Sequence, residues 1–399
     1  MQYKKLLKLS FVDEEKYKTT YLERINNECT TVLNFDISGN KAFYLTNQEI
    51  LLLITKIMSV DKILTEKASS LPGVALQQYT KQALIDEIKQ TNDIENVFST
   101  KKEIKETFKK IDKGEDKGRF KGLISKYLKF QSNEIIKLET CEDIRNLYND
   151  IVLEEVLEAD KGNAPDGLIF RKDQVSVYSE SGKEIHKGLF PEDKIINSLS
   201  NALMVLNDNN INYLISAAIF HYLFAYVHPF YDGNGRTDRF ISSYVISQNL
   251  NHLVAYKFSY IIKKHQSQYY KMFSETNDPR NKGDITPFII QFLEFILEVE
   301  KELVDEIDKR LLDLNFFGSK ITKLNLSNND KDIVYVLLQN ALFDDEGLTN
   351  SSLCSICKKS YNTISKSINA IDQLGILRCV VSGKKKLYDI DLNMLGNNY

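Results

Sequence analysis

The chain has 399 residues, 43% hydrophobic and 27% charged, with a net charge of −3. At ~100–200 residues per domain this suits two or three cores, and the near-neutral balance excludes a chain coated in basic residues for wholesale nucleic-acid binding. The most apolar stretch, 211–227, is broken by Asn212, Ser216 and His221 and falls short of the ~20 residues of a membrane span.

The N-terminal segment has no apolar core suited to a secretion signal. Cys29, Cys141, Cys354, Cys357 and Cys379 are odd in number and scattered, which points to reduced thiols. The expected compartment is the cytoplasm, with no membrane partner.

The predicted elements are overwhelmingly helical. Residues 12–35 mix charge with apolar spacing, and 47–63 carry the cluster Ile50, Leu51, Leu52, Leu53, Ile54, Ile57 and Met58. Helices are expected over 81–96 and 101–111, up to a Lys/Asp/Gly-rich break at 112–118, and over 141–160. The run 167–178 alternates as a strand does, and 179–183 (Ser-Glu-Ser-Gly-Lys) is turn chemistry, so a short β-hairpin is expected inside the helical domain. Helices resume at 192–208, 211–227, 234–250, 265–276 and 285–314. Residues 318–330 read as a polar connector. Beyond it, helices are expected at 332–342, 351–358 and 362–374, the last ended by Gly375 as a C-terminal cap. Apolar runs at 376–381 and 387–390 then flank a basic hairpin turn.

The chemistry concentrates in 228–239, His-Pro-Phe-Tyr-Asp-Gly-Asn-Gly-Arg-Thr-Asp-Arg. A glycine-rich turn opening a helix offers free N–H groups and a positive dipole end, and so an anion site. Asp232 at that turn suits Mg²⁺, which binds through one or two carboxylates plus phosphate oxygens. Arg236 and Arg239, three apart, share a helix face and suit phosphate clamping. His228, with an ordinary pKa of ~6.5, suits proton acceptance near neutrality. Together these are the parts of a phosphoryl- or nucleotidyl-transfer site. Read alone, they also suit a His-Pro turn followed by an Arg-rich surface helix.

This stretch resembles the Fic family signature, HPFx(D/E)GNGRxxR, at every position. The resemblance implies a mainly α fold, a Fic-type helical core with a β-hairpin flap, and transfer of AMP from ATP to a Ser, Thr or Tyr hydroxyl of a protein. By position it makes His228 the base and Asp232 the Mg²⁺ ligand. Gly233, Asn234 and Gly235 become the anion hole, with Arg236 on the β-phosphate and Arg239 reaching the γ-phosphate. Thr237 and Asp238 fall within the same ATP-binding stretch, and Phe230 is a core anchor. Tyr269-Tyr270 followed by Asn277 looks like the segment that closes over adenosine. The hairpin near 175–181, with Val177 and Tyr178, sits where the family has its target-binding flap, which aligns a substrate backbone by strand addition. His221 is read as a packing histidine, and His186, His252 and His265 have no partner pattern.

Upstream, Thr91 and Glu95 lie four apart on a predicted helix, followed by Asn96. This resembles the Fic inhibitory motif, (S/T)xxxE(G/N), in which the carboxylate pairs with Arg239 and takes the seat of the γ-phosphate.

The C-terminal helices and hairpin resemble a winged helix-turn-helix module. Over 358–386, seven basic residues, Lys358, Lys359, Lys366, Arg378, Lys384, Lys385 and Lys386, face the single acid Asp372. That charge suits phosphate-backbone contact; protein docking is the alternative. Cys354 and Cys357 lack a second ligand pair, so two small buried residues are expected there in place of zinc.

The expected division is a helical N-terminal region (1–110) carrying the inhibitory helix at about 84–98, a catalytic core (111–317), a linker (318–330) and a winged-helix module (331–399). The expected activity is protein adenylyl transfer with ATP and Mg²⁺, held down by Glu95. AMP removal, and a nucleotide-sensing DNA-binding regulator, are the alternatives. Candidate partners are a protein substrate, the chain itself included, DNA through 358–386, and a second copy of the chain.

Overall fold

The computed structural model describes residues 3–115, 117–132, 134–178, 184–383 and 385–398. The chain runs α1 (Leu6–Val12), α2 (Glu14–Ile25), β1 (Thr30–Ile37), β2 (Asn40–Leu45), α3 (Gln48–Ser69), α4 (Gly73–Ile94), α5 (Lys101–Ile111), α6 (Lys121–Leu128), α7 (Cys141–Ile151) and α8 (Leu153–Ala159). It continues through β3 (Ser176–Tyr178), β4 (Glu184–Lys187), α9 (Glu192–Leu206), α10 (Tyr213–Val227), α11 (Asn234–Ser247), α12 (His252–Ala255), α13 (Phe258–Lys264), α14 (Gln266–Asn277) and α15 (Thr286–Thr322). It ends with α16 (Asn328–Phe343), α17 (Asn350–Cys357), α18 (Tyr361–Asp372), β5 (Leu377–Ser382), β6 (Lys385–Ile390) and α19 (Leu392–Asn398). The strands form three separate antiparallel pairs. No helix among the described residues is long and apolar enough to cross a membrane.

Two compact units result, one of residues 1–61 and 84–300, the other of 62–83 and 301–399. In the first, α10 is the central rod. Its Asn212 cap accepts from Leu214 N, and nearly every later residue through Val227 is buried. A helix apolar on all sides has to lie inside a core, and α9 and α11 pack against it.

Four expectations need correction. The segment read as helical over 12–35 ends its helix at Ile25 and becomes the β1–β2 hairpin. Its two-residue turn, Ser38-Gly39, has φ of +48° and +80°, the positive pair that matches strand twist in a tight hairpin. The strand expected over 167–178 is regular only from Ser176, and the turn at 179–183 lies outside the described residues. The helix expected over 141–160 breaks at Val152, which separates α7 from α8. Finally, α15 continues to Thr322 and α16 starts at Asn328, so most of the expected connector is helical.

The second unit follows its predicted elements closely and adds α19. Ser327, Thr349 and Ser360 each accept a backbone N–H three residues on, opening α16, α17 and α18. Ile333, Leu337, Leu353, Ile364, Ile368 and Ile390 form its interior.

In the first unit, α2 and the loop before α15 are joined by a buried ion pair. Arg24 Nη1 lies 3.1 Å from Asp284 Oδ2, and the Tyr3 hydroxyl donates to the same oxygen at 2.8 Å. Asp284 Oδ1 accepts from Thr286 N at 3.0 Å. Removing one partner of such a pair leaves a buried charge uncompensated. Asp284→Ala is therefore expected to lower stability by about 3–5 kcal/mol, read as a drop in the urea midpoint; a change within error would contradict this account.

Candidate active site

The loop after α10 is built by backbone geometry. His228 caps α10 with φ +52° and ψ +64°, its N–H bonded to Phe224 O at 2.9 Å. This is a left-handed conformation in a residue that precedes proline, where extended backbone is preferred. Asn234 clamps the turn from both sides: its Oδ1 accepts from Phe230 N at 2.9 Å, and its Nδ2 donates to Phe230 O at 2.8 Å. Phe230 is fully buried and stacks on Tyr148 with ring centres 3.7 Å apart. Gly233 opens α11 at φ +80°, and any Cβ there would crowd Val152 and Tyr148.

The first intrahelical bond of α11 runs from Thr237 N to Gly233 O, 3.1 Å, with the Thr237 hydroxyl on the same oxygen at 2.9 Å. The N–H groups of Asn234, Gly235 and Arg236 precede it, which makes this end an anion cradle. Two predicted ATP contacts thus act locally through their side chains: Asn234 locks the turn and Thr237 the first helical turn. Asp232 Oδ1 accepts from Gly233 N at 2.5 Å, and Asp232 O accepts from the Tyr148 hydroxyl at 3.1 Å. Arg236 is buried, and its Nε has no acceptor among the described residues.

Arg239, 1% exposed, is held by the end of α4. Its Nε donates to Thr91 Oγ1 (2.9 Å), its Nη2 to Thr91 O (3.0 Å), and its Nη1 lies 2.8 Å from Glu95 Oε1. The predicted helix does not run to 98. It stops at Ile94, and Glu95 belongs to the cap. Val97 N bonds to Asn92 O (2.9 Å), Asn96 N approaches Asp93 O (3.4 Å), and Asn96 has φ +57°. This is a Schellman end with its left-handed position filled by Asn, which explains why Gly or Asn suits that place. The turn leaves the Thr91 carbonyl to Arg239 and aims Glu95 at the cradle. A Cβ on Gly235 would come within 2.0 Å of Glu95 Oε1, so the carboxylate rests directly on the Gly235 backbone.

One layer below, Glu87 is fully buried and anchors α4. It accepts from Ser259 N (2.8 Å), Ser259 Oγ (2.5 Å) and the Tyr127 hydroxyl (3.1 Å). Burial pushes its pKa up to about 7, against the pull of those bonds and Arg239.

A cavity of about 840 Å³ opens over this floor. Of the predicted residues it brings together Glu95, Asn96, Val177, His228, Asn234, Gly235, Asp238, Arg239, Tyr269 and Asn277; Thr91, Asp232, Gly233, Arg236 and Thr237 do not line it. His221 is fully buried as a packing histidine should be, yet it reaches the cavity wall: Nε2 is 2.8 Å from the Tyr269 hydroxyl, and Nδ1 is 3.2 Å from Asp238 Oδ1. Burial raises the Asp238 pKa, with His221 opposing. Asn277 Oδ1 accepts from the Tyr222 hydroxyl at 2.6 Å.

On the flap, Val177 pairs with His186 and Tyr178 with Glu184; the Tyr178 side chain lies outside the described residues. His186, which sequence reasoning left unassigned, donates from Nε2 to Tyr226 O at 2.6 Å. His228 is half-buried, and desolvation, then His186 and Arg171, push its pKa down to about 4, against Glu95. Its imidazole is neutral at pH 7.

Arg171 and Gly188 also belong to the site, without a motif that marks them in the sequence. Arg171 is fully buried and donates to backbone carbonyls around His228. A Cβ on Gly188 would meet Arg171 Nη2 at 2.5 Å and His228 Cβ at 3.0 Å. The only sequence signal was an arginine following the apolar run 168–170.

In the C-terminal unit, Lys358, Lys366, Lys385 and Lys386 are exposed. Lys359 donates to Asn329, Arg378 lies 3.3 Å from Asp389, and Lys384 is outside the described residues. Cys354 and Cys357 are half-exposed, which corrects the expectation of two buried residues. No cluster of three or more metal-ligating side chains occurs among the described residues.

Residues 139–246 match the Fic/DOC family. The chain is 29% identical over 167 residues, 41% of its length, to Protein adenylyltransferase Fic of Drosophila mojavensis, and 32% identical over 97 residues, 24% of its length, to that of Drosophila grimshawi. These matches cover 30% and 17% of those relatives, so the chain spans less than a third of their length. In structure it is similar to a Fic family protein from Desulfovibrio desulfuricans G20, with a TM-score of 0.52 at 18% identity, over 87% of this chain and 97% of that one. Residues 139–246, the stretch similar to the Fic/DOC family, hold the histidine loop and all of α11 except Ser247.

Proposed function

We propose that the protein transfers AMP from ATP to a hydroxyl of a protein substrate, and that Glu95 restrains this activity. The observation that carries the reading is the neutral His228 imidazole at the rim of a cavity floored by the α11 N-terminus and Arg239. Such a floor suits a polyphosphate, and a neutral imidazole suits the attacking hydroxyl. In the transfer, His228 takes the hydroxyl proton, the oxygen bonds to the α-phosphorus, and pyrophosphate leaves. The Arg236 backbone N–H, part of the α11 cradle, suits a phosphate oxygen, and Tyr269 and Asn277 form a wall for the nucleoside. Asp232 is the single carboxylate of the turn, which fits Mg²⁺, an ion that shares one carboxylate with phosphate oxygens and water. Bound there, the ion would neutralise phosphate charge. The flap strand β3 offers an edge to an extended substrate segment.

Glu95 supports the restraint because it occupies both the Gly235 surface and one arm of Arg239. The testing experiment is intact-mass spectrometry of the Glu95→Gly protein with ATP and Mg²⁺. An AMP adduct on itself or on a lysate protein is expected, absent in the His228→Ala, Glu95→Gly double variant. A charge-assisted pair contributes several kcal/mol, and each ~1.4 kcal/mol is tenfold, so activation of about ten- to a thousandfold is expected. Failure of AMP removal in the same variant, with no increase in transfer, would instead favour the removal reaction, with Glu95 orienting water.

The pH profile carries a further test. Because the His228 pKa is depressed, the base stays deprotonated well below the ordinary ~6.5. Transfer by Glu95→Gly is expected to hold level from pH 8 to about 5.5 and to fall only as pH drops toward about 4. An acid limb centred near 6.5 would contradict the assignment of His228 as the base. The contribution to stability has the same sign: present above ~6.5 and lost as pH falls through about 4.

For the C-terminal unit we propose a winged helix that contacts nucleic-acid phosphates. Exposed Lys366 on α18 and exposed Lys385 and Lys386 on β6 support it. Removing a lysine that touches a phosphate flattens the salt dependence of binding by about one unit of slope. The Lys385→Ala, Lys386→Ala variant is expected to bind duplex DNA more weakly with a flatter slope; unchanged affinity would assign the unit to protein docking.

A further inference from the structure

Arg171 is 0% exposed and has no carboxylate partner among the described residues. A buried cation without a counter-ion is costly and has to be offset by well-aimed acceptors. Here the acceptors are all backbone carbonyls. Nε donates to His228 O at 2.9 Å, Nη1 to Asp173 O at 2.5 Å, and Nη2 to Leu189 O at 2.8 Å.

These three carbonyls are not a random set. Asp173 lies three residues before β3 and Leu189 two residues after β4, so the guanidinium grips both roots of the flap. His228 O belongs to the one residue of the loop forced into a left-handed backbone before proline. Backbone bonds complete the joint: Leu189 N to Val227 O at 3.0 Å, Gly188 N to Val175 O at 3.0 Å, and Arg171 N toward Pro229 O at 3.4 Å. At Gly188 there is no room for a side chain between flap and histidine.

We propose that Arg171 is a positioning residue that fixes the target-aligning flap and the catalytic histidine as one piece. A planar fork with five donors can hold three carbonyls in separate directions, which an ammonium cannot. The substrate backbone laid along β3 then meets the imidazole at a set distance. This rests on the reading of His228 as the base and of the hairpin as the target-aligning flap. A misplacement of about 1 Å costs on the order of a hundredfold in rate, the scale at which such a joint matters.

The test uses the full chain, with Arg171→Lys and Arg171→Met each added to Glu95→Gly. With five histidines in the chain, labelled imidazole signals can be followed by NMR through a pH titration. Besides burial and Arg171, His186, Glu95 and a hydrogen bond with the Ala225 backbone act on His228, and Glu95 is already absent in this background. Arg171→Lys keeps the positive charge but loses the fork. Its His228 titration is expected to stay low, while β3 and β4 amide signals shift and the KM for the protein substrate rises about tenfold or more at unchanged ATP affinity. Arg171→Met also removes the charge, so its His228 titration is expected to move up toward the ordinary ~6.5.

A Lys variant with wild-type KM and unmoved flap signals overturns the proposal, and this variant alone decides if the Met variant does not fold. A folded Met variant whose β3 and β4 amide signals and KM stay put overturns it as well. If Glu95→Gly transfers no AMP at all, the functional reading fails. The flap and imidazole signals still report on the joint.

Discussion

The structure around the cavity depends on how the Arg239 guanidinium is satisfied. A buried cation needs acceptors on every arm, and all three come from the final turn of α4 and its cap. That turn can supply them because it unwinds through a Schellman end, which frees the Thr91 carbonyl and swings Glu95 out of the helix. Its place is fixed from below by Glu87, whose bonds to Ser259 and Tyr127 tie α4 to α13 and α6. Helix, arginine and cradle therefore form one bonded assembly in which a shift of any member is felt by the others.

The histidine loop is organised differently. Most of its side chains serve the backbone: Asn234 and Thr237 make the turn, Phe230 plugs the core, and the glycines allow close approach. Asn234 lines the cavity as well, while Phe230, Gly233 and Thr237 lie behind it. The fixed backbone is what presents N–H groups at the α11 end and the imidazole above them, and fixed dipoles of this kind need no rearrangement when charge arrives. Tyr269 is steadied in the same spirit, through His221 and Asp238 behind it.

Much of this was legible because local chemistry decides it. The signature at 228–239, the caps of α16 to α18 and the all-apolar α10 each follow from neighbours in sequence. The β1–β2 hairpin was also written there, in Ser38-Gly39 between alternating runs, but charged residues at helical spacing upstream obscured it. Arg171 and Glu87 were beyond reach for another reason. Apart from the Asp173 carbonyl two residues on, their partners are carbonyls, hydroxyls and a backbone N–H 18 to 172 residues away, and no periodicity encodes such partners. The end of α4 was misplaced by a few residues, since an Asn in a left-handed cap resembles an Asn continuing a polar helix face.

The hold on Arg239 has one component that side-chain replacement cannot delete. The Thr91 carbonyl belongs to the main chain, and it accepts from Nη2 whatever residue stands at position 91. Libraries of point substitutions therefore sample only part of this restraint. Variants that free the guanidinium completely will map to residues governing the handedness and fraying of the α4 terminus, Asn96 foremost, and not to those that touch the arginine. The genetic footprint of the contact is displaced from its structural one.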